Sequence, residues 1–415
     1  MRRRSVVVTL LVSLCLIVSL MGWTPAANAA GFSQEQKILL QSWRLVNQAY
    51  IDDSFNQQNW WQIRQDFLKR PLKTREDTYK AIDEMLATLD EPFTRLLRPQ
   101  QYHNLQMSTA GELSGVGLQI NINPDTGKLE VVAPLVGSPA EDAGIAPRDR
   151  ILFIDGVDTA TLTLDEAAAK MRGPKGTKVS LTILPNGQQE SQQRTVDLIR
   201  DRISLSSVYA SLDQHGSIPI GYIRLTQFSA NAAKEVSQAI KELEKQGAQA
   251  YIFDLRNNPG GLLQAGIEIA RLWLDKGTIV YTVNRQGAFD SFAASGMSLT
   301  EDPLIVLVNE GTASASEILA GALQDNGRAL LLGEKTFGKG LIQSLFELPD
   351  GAGLAITVAK YETPAHKDIH KAGIVPDQLI HEDPITYQQI GTEKDLQYQE
   401  ALKLLTDNPV LADAG

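Results

Sequence analysis

The chain has 415 residues, 43% of them hydrophobic and 21% charged, and a formal net charge of −10. That length supports two or three domains with cores of their own, and the balance excludes a disordered chain. The acidity argues against general nucleic-acid binding and against a basic membrane patch, and the single cysteine, Cys15, excludes a disulfide framework.

Taken in order, Arg2, Arg3 and Arg4 precede an apolar run from Val6 to Met21, and Pro25-Ala26-Ala27-Asn28-Ala29-Ala30 supplies an Ala-x-Ala site. This reads as a secretory signal peptide over residues 1–29, with cleavage after Ala29. An uncleaved anchor is the alternative, disfavoured by the cleavage site and by the lack of a later apolar span in the sequence. Cleavage would remove Cys15, leaving neither a disulfide nor a catalytic thiol, so an exported chain of this kind relies on its core.

Residues 30–106 predict a small helical domain. Ser33 and Glu35 make a helix start, and Ile38, Leu39, Trp43, Val46 and Tyr50 recur at helical spacing. A second run carries Trp60, Trp61, Ile63, Phe67 and Leu68, and a third carries Tyr79, Ile82, Met85, Leu86 and Leu89. The tryptophan pair is expected to pack rather than to bind a ligand. Pro92 turns the chain out of this region.

Over residues 107–203 the pattern changes to short strands and glycine turns. Strands are expected at the end of Glu112 to Ile120, at Lys128 to Ala133, Arg150 to Ile154 and Lys178 to Leu184, with one capped helix between Thr163 and Gly173. A glycine loop before an exposed strand, beside that helix, forms a groove in which an extended peptide adds a strand while loop N–H groups hold its carboxylate. The run Gly115-Val116-Gly117-Leu118, the run Ser138 to Ile145 and Gly156 together resemble a PDZ domain, a small β-barrel-like unit with helices. The resemblance implies that Val116, Gly117 and Leu118 bind a substrate carboxylate.

From residue 204 to 415 strands and helices alternate: Ile218 to Leu225, a helix from Ala230 to Gln246, Ala250 to Leu255, a helix from Leu262 to Trp273, Thr278 to Val283, Leu304 to Val308, a helix after Ser314, Ala329 to Leu332, and Ala355 to Tyr361. This predicts an α/β sheet with helical crossovers, and an acidic tail after Ile380 that is peripheral.

The chemistry concentrates between Val308 and Ser344. A turn of small residues, Gly311 to Ser316, precedes a helical run with Ile318, Leu319, Ala322 and Leu323, and Lys339 comes later between two glycines. Serine is a weak nucleophile until a base takes its proton, and a lysine kept neutral by burial can be that base. A serine at a helix N-terminus also lies beside free N–H groups suited to an oxyanion, although capping the helix is its commoner task. The segment Asp254 to Gly261 ends a strand in a glycine turn, another source of exposed N–H groups.

Read together, these motifs resemble the C-terminal processing peptidases, or tail-specific proteases, over the whole mature chain. The fold class implied is multidomain α+β: a helical N-terminal region, a PDZ domain and an α/β crotonase-like protease core. The resemblance implies Ser314 as nucleophile, Lys339 as general base and Gln343 as the residue that orients the lysine. It places the oxyanion at the N–H groups of Gly260 and Ala315, and reads Asp254, Arg256 and Glu317 as supporting ion pairs, with purely structural pairing left open. Ser316 would face away from Ser314, and Ser344 reads as an ordinary strand residue.

His366 and His370 stand four apart but lie among Pro364, Gly373 and Pro376, so no metal site is expected, and no phosphate loop or other cofactor motif is present in the sequence. The expected partners are protein substrates with exposed, apolar C-terminal tails, with no nucleic acid and with membrane association only peripheral, through the substrate. The resemblance is nearest to the photosynthetic branch, which trims the photosystem II reaction-centre subunit precursor, in the thylakoid lumen or the periplasm. A non-catalytic PDZ adaptor or chaperone that holds C-termini is the alternative. A PDZ unit inserted at 107–203 would also be placed to gate the site.

Overall fold

The computed structural model describes residues 32–407 apart from positions 124–125, 136, 205, 215–217, 288 and 384. The expected signal peptide and its cut after Ala29 lie outside the described residues.

The chain opens with three helices, α1 (Gln34–Ala49), α2 (Trp60–Leu68) and α3 (Arg75–Ala87), followed by the short strand β1 (Arg95–Leu97) and helix α4 (Pro99–Ala110). Capping boxes start α1 and α3: Ser33 and Thr74 accept from the N–H three residues on, and Gln36 and Asp77 reach back. The apolar faces of α1 and α3, including Ile38, Val46, Ile82 and Met85, are buried together with Leu354 and Ile356 from a strand far along the chain. The helical region therefore shares a core with the C-terminal half of the chain. Trp60 is buried, but Trp61 lies 59% exposed against Trp43. Helix α4 runs across the expected boundary at 106–107 and ends at Gly111, whose φ of 71° is the left-handed value a helix C-terminus favours. Only Tyr102 of that helix is buried, so its sequence carries almost no apolar period.

Next comes the PDZ-like unit: β2 (Glu112–Gly115), β3 (Leu118–Ile122), β4 (Leu129–Pro134), the single-turn α5 (Pro139–Asp142), β5 (Arg150–Ile154), β6 (Val157–Asp158), α6 (Leu164–Met171), β7 (Lys178–Leu184), β8 (Arg194–Ile199) and β9 (Asp201–Ser204). The sheet order is β3-β4-β5-β7-β8, and β2 pairs with β9. Strand β3 is thus an edge strand, with α6 beside it, which is the arrangement strand addition requires.

The last unit contains β10 (Val208–Asp213), β11 (Ile220–Leu225), α7 (Ala232–Lys245), β12 (Ala250–Asp254), α8 (Leu263–Trp273), β13 (Thr278–Asn284), β14 (Phe289–Ala293), β15 (Leu304–Val308), α9 (Ala315–Asp325), β16 (Leu330–Gly333), β17 (Leu341–Glu347), β18 (Gly353–Glu362), β19 (Gln378–Leu379) and α10 (Leu396–Asp407). One sheet has the order β10-β11-β12-β15-β16-β19, parallel from β11 onward. Strands buried on both faces read as continuous apolar runs, as β12 and β15 do. A second sheet, β1-β18-β13-β14 with β17 added to β18, joins this unit to the N-terminal helices.

The tail is not peripheral. Tyr398, Ala401 and Leu405 of α10 are buried on the sheet face formed by Ile220, Tyr222, Ile252 and Leu307, opposite the face covered by α7, α8 and α9. Its acidic composition hid this, because the acids nearest the sheet are neutralised inside the protein by Arg256.

Candidate active site

The ends of β12 and β15 lie side by side, with Asp254 in register with Leu307. The loops that leave them are stitched together. Thr312 Oγ donates to the Leu255 carbonyl at 2.9 Å, and the N–H of Ala313 donates to the Asn258 carbonyl at 3.0 Å. At the base of this junction Arg256, 6% exposed, donates to Asp254 at 2.7 Å and to both oxygens of Asp395 at 2.8 and 2.7 Å. Tyr222 donates to Asp254 at 2.7 Å. Burial alone would push the Asp254 carboxyl up, but Arg256 and the Tyr222 hydroxyl hold it below the usual carboxylate range. The expected pair Asp254–Arg256 is present, and its third member, Asp395, comes from the tail.

Ser314 opens α9 with φ 59° and ψ −117°, a strained conformation for a residue with a Cβ and one found at functional turns. Its side chain makes no cap hydrogen bond. The Glu317 N–H goes instead to the Ser314 carbonyl, so the hydroxyl is not committed to the helix. Ser316, by contrast, is fully buried and donates to the Asn258 carbonyl at 3.0 Å.

Glu317 is fully buried, and its carboxylate accepts from the N–H of Ser314 at 2.9 Å, Thr336 Oγ at 2.6 Å, the N–H of Gly338 at 2.7 Å and the N–H of Lys339 at 2.9 Å. It is an acceptor for main-chain N–H groups and one hydroxyl, with no basic side chain paired to it among the described residues, which corrects the ion-pair reading. One carboxylate thereby fixes the backbones of both Ser314 and Lys339. Tyr361 adds a second tie, its hydroxyl lying 2.6 Å from the Lys339 carbonyl and 3.1 Å from that of Ser314. Burial and the charge of Glu317 push this phenol well above its ordinary pKa, so it remains a donor. Sequence reasoning missed Tyr361. Its only signal was an aromatic at the end of a strand-like run.

Ser314, Lys339 and Gln343 all line one cavity of about 520 Å³, together with Phe93, Gly260, Ala315 and Tyr361. Among the described residues no hydrogen bond joins the Ser314 hydroxyl to the Lys339 amine. The amine lies 4.9 Å above the Phe93 ring. Burial, and then the charge of Arg95, draw its pKa below the ordinary lysine range, while Glu91 and Glu317 pull the other way. Gln343 lies just past a bulge between Ile342 and Gln343 that sets it opposite Thr357, to whose hydroxyl its amide nitrogen donates at 3.3 Å.

Gly260 packs directly on the serine turn. A Cβ there would stand 2.7 Å from the Ala313 carbonyl oxygen, 2.8 Å from Ser314 Cβ and 2.9 Å from Ala315 N, and φ is 95°. The two N–H groups expected at the oxyanion thus flank the serine, but that of Gly260 is bonded to Asn258 Oδ1 at 2.9 Å in this state.

In the PDZ-like unit, Val116, Gly117 and Leu118 line a groove of about 330 Å³ between β3 and α6, with Ile120, Leu164 and Ala168 supplying apolar wall. Gly117 is needed there: a Cβ would fall 2.2 Å from Ser138 Cβ. His366 and His370 lie in a turn region. Among the described residues no group of three or more potential ligands is placed to hold a metal, and no helix is long and apolar enough to cross a membrane.

Residues 219–380 match the family model of peptidase family S41, and residues 104–184 that of the PDZ domain. The chain is 67% identical over 393 residues to a carboxyl-terminal-processing protease of Synechocystis sp., covering 94% of this chain and 91% of the relative. It is 46% identical over 390 residues to carboxyl-terminal-processing peptidase 2, chloroplastic, of Arabidopsis thaliana, covering 91% and 75% of the two chains. Among solved structures, a photosystem II D1 C-terminal processing protease superposes with a TM-score of 0.58 at 39% identity, covering 88% of this chain and 99% of that one.

Proposed function

The chain belongs to peptidase family S41 and is a serine-type carboxyl-terminal processing peptidase, and we propose that Ser314 and Lys339 perform the chemistry on tails delivered by the groove beside β3. The observation that carries this assignment is the double tie of Glu317 and Tyr361, which holds the nucleophile's and the base's backbones side by side at one cavity.

The reaction is acyl transfer. Neutral Lys339 takes the Ser314 proton as the oxygen attacks the scissile carbonyl, and the resulting ammonium returns a proton to the leaving amine. Water then enters and gives a proton to Lys339 as its oxygen attacks the ester carbonyl; the bond to Ser314 Oγ breaks, and Lys339 returns the proton to that oxygen as the acid leaves. A lysine whose pKa is drawn down by burial is neutral over more of the neutral range than a solvated one. The developing oxyanion is met by the Ala315 N–H at the start of α9 and by that of Gly260, which must share or exchange its bond to Asn258.

The substrate is an exposed, apolar C-terminal tail. Its carboxylate sits at Val116, Gly117 and Leu118, its strand is added to β3, and its end side chain enters the apolar groove. Similarity to a protease acting on photosystem II D1 makes the D1 precursor extension the candidate, and an exported, lumenal or periplasmic location accords with such a substrate. The test is cleavage of a synthetic precursor tail with a free or an amidated C-terminus. The expected result is cleavage of the free acid, with a higher KM and similar kcat for the amide. No cleavage of the free acid removes this substrate, and equal KM values remove the carboxylate-binding loop.

A further inference from the structure

The loop that leads into β1 carries a carboxylate with four partners. Glu91 Oε1 accepts from the N–H of Phe93 at 2.7 Å, and Oε2 accepts from the N–H of Thr94 at 3.0 Å, from Thr94 Oγ at 2.8 Å and from Thr357 Oγ at 2.8 Å. Thr94 Oγ in turn accepts from the N–H of Thr357 at 3.1 Å. Thr94 and Thr357 are buried, 4% and 0% exposed, so these bonds are shielded from water.

Hydrogen-bond direction is fixed along this chain. An ionised carboxylate only accepts, so Thr357 must spend its one hydroxyl proton on Glu91. The Thr357 oxygen is then an acceptor, and it receives the amide nitrogen of Gln343 at 3.3 Å. With its nitrogen committed, Gln343 retains a carbonyl oxygen to offer an amine in the same cavity. The other branch from Glu91 holds the backbone of Phe93, whose ring lies beneath Lys339 Nζ.

We propose that Glu91 is a positioning residue for the base: through Thr357 it sets the orientation of Gln343, and through Phe93 it sets the surface on which Lys339 rests. The proposal rests on Lys339 being the general base. Glu91 touches no reacting atom and exerts its geometric effect through these neighbours, so its role is not visible from the cavity lining.

A charge effect accompanies the geometry. The charges facing Lys339 are Glu91 and Arg95 from the loop and β1, and Glu317 from α9. Glu91 itself is faced by Tyr50 at the end of α1, pushed up to about 12 mainly by burial, and by His370, which burial draws below its ordinary value. Because Glu91 favours the charged lysine, removing its charge lowers the Lys339 pKa, and the neutral base persists to lower pH.

The experiment is the pH profile of kcat for the full-length enzyme on the precursor tail peptide. Glu91→Gln is expected to lower kcat about tenfold with KM unchanged, as loss of an interaction made in the transition state does, and to move the acid limb to lower pH. Thr357→Val removes the relay without removing charge. It should lower kcat to a similar extent with the limb unmoved, and have no further effect when Gln343→Ala is already present. Glu91→Gln at wild-type kcat, or with reduced kcat and an unmoved limb, overturns the proposal. Should Glu91→Gln fail to fold, Thr357→Val decides alone, and wild-type kcat or full additivity with Gln343→Ala overturns it. Activity surviving in Lys339→Ala removes instead the reading of the base on which the proposal stands.

Discussion

Replacing Asp395 by alanine tests how strongly the tail braces the strand end that feeds the oxyanion turn. Asp395 is fully buried and accepts two charge-assisted bonds from Arg256, at 2.8 and 2.7 Å, as well as the N–H of Gly391 at 2.8 Å and of Tyr398 at 2.9 Å. Hydrogen bonds to charged groups contribute about 1.5–3 kcal/mol each, and breaking a buried pair costs about 3–5 kcal/mol. Arg256 keeps Asp254 at 2.7 Å and Glu382 at 3.2 Å, so its charge is not left bare. The expected loss is therefore at the lower end, about 3 kcal/mol. Urea unfolding followed by tyrosine and tryptophan fluorescence measures it, with amide exchange reporting whether α10 opens first. The surface pair Lys403–Glu400, 3.8 Å apart with its lysine exposed and its glutamate half-buried, is the control, and Lys403→Ala should leave the midpoint unchanged. If Asp395→Ala unfolds at the wild-type midpoint and α10 exchanges no faster, the tail is not a brace and the peripheral reading returns.

The site supports two further outcomes. Arg95 lies exposed beside Lys339 and lowers its pKa, so Arg95→Gln should raise it; the neutral base is then lost at a higher pH, and the acid limb of kcat/KM moves upward, as a pH series on one peptide will show. Gly260→Ala would drive a Cβ into the Ala313 carbonyl and Ser314 at a φ of 95°, and a loss of about 10²–10³ in kcat is expected in a steady-state assay, the scale for removal of an oxyanion donor. Retained kcat there would mean that Gly260 lies outside the site.

Much of the fold was legible in the sequence because each of its signals is local. Continuous apolar runs marked β12 and β15, and Thr163 with Glu166 marked the start of α6 through a capping box. The serine turn and the glycine-flanked lysine were legible for the same reason. What escaped depends on contacts between distant segments. The acids of the tail look solvated until Arg256, 139 residues earlier in the chain, is placed against Asp395. Glu317 looks like an ion-pair member until the turn at Gly338 brings main-chain N–H groups to it. Glu91 and Thr357, separated by 266 residues, meet only because β1 joins the edge of β18. Helix α4 escaped for another reason, having a polar surface with little period to read.

The assignment of Ser314 as nucleophile, over Ser316 and Ser344, decides the mechanism. It is tested most directly by following cleavage of the precursor tail peptide by mass spectrometry with wild-type enzyme and with Ser314→Ala, Ser316→Ala and Ser344→Ala. No product is expected from Ser314→Ala, with tail binding retained, and product at the same cleavage position is expected from the other two. Cleavage by Ser314→Ala at the same position would contradict it.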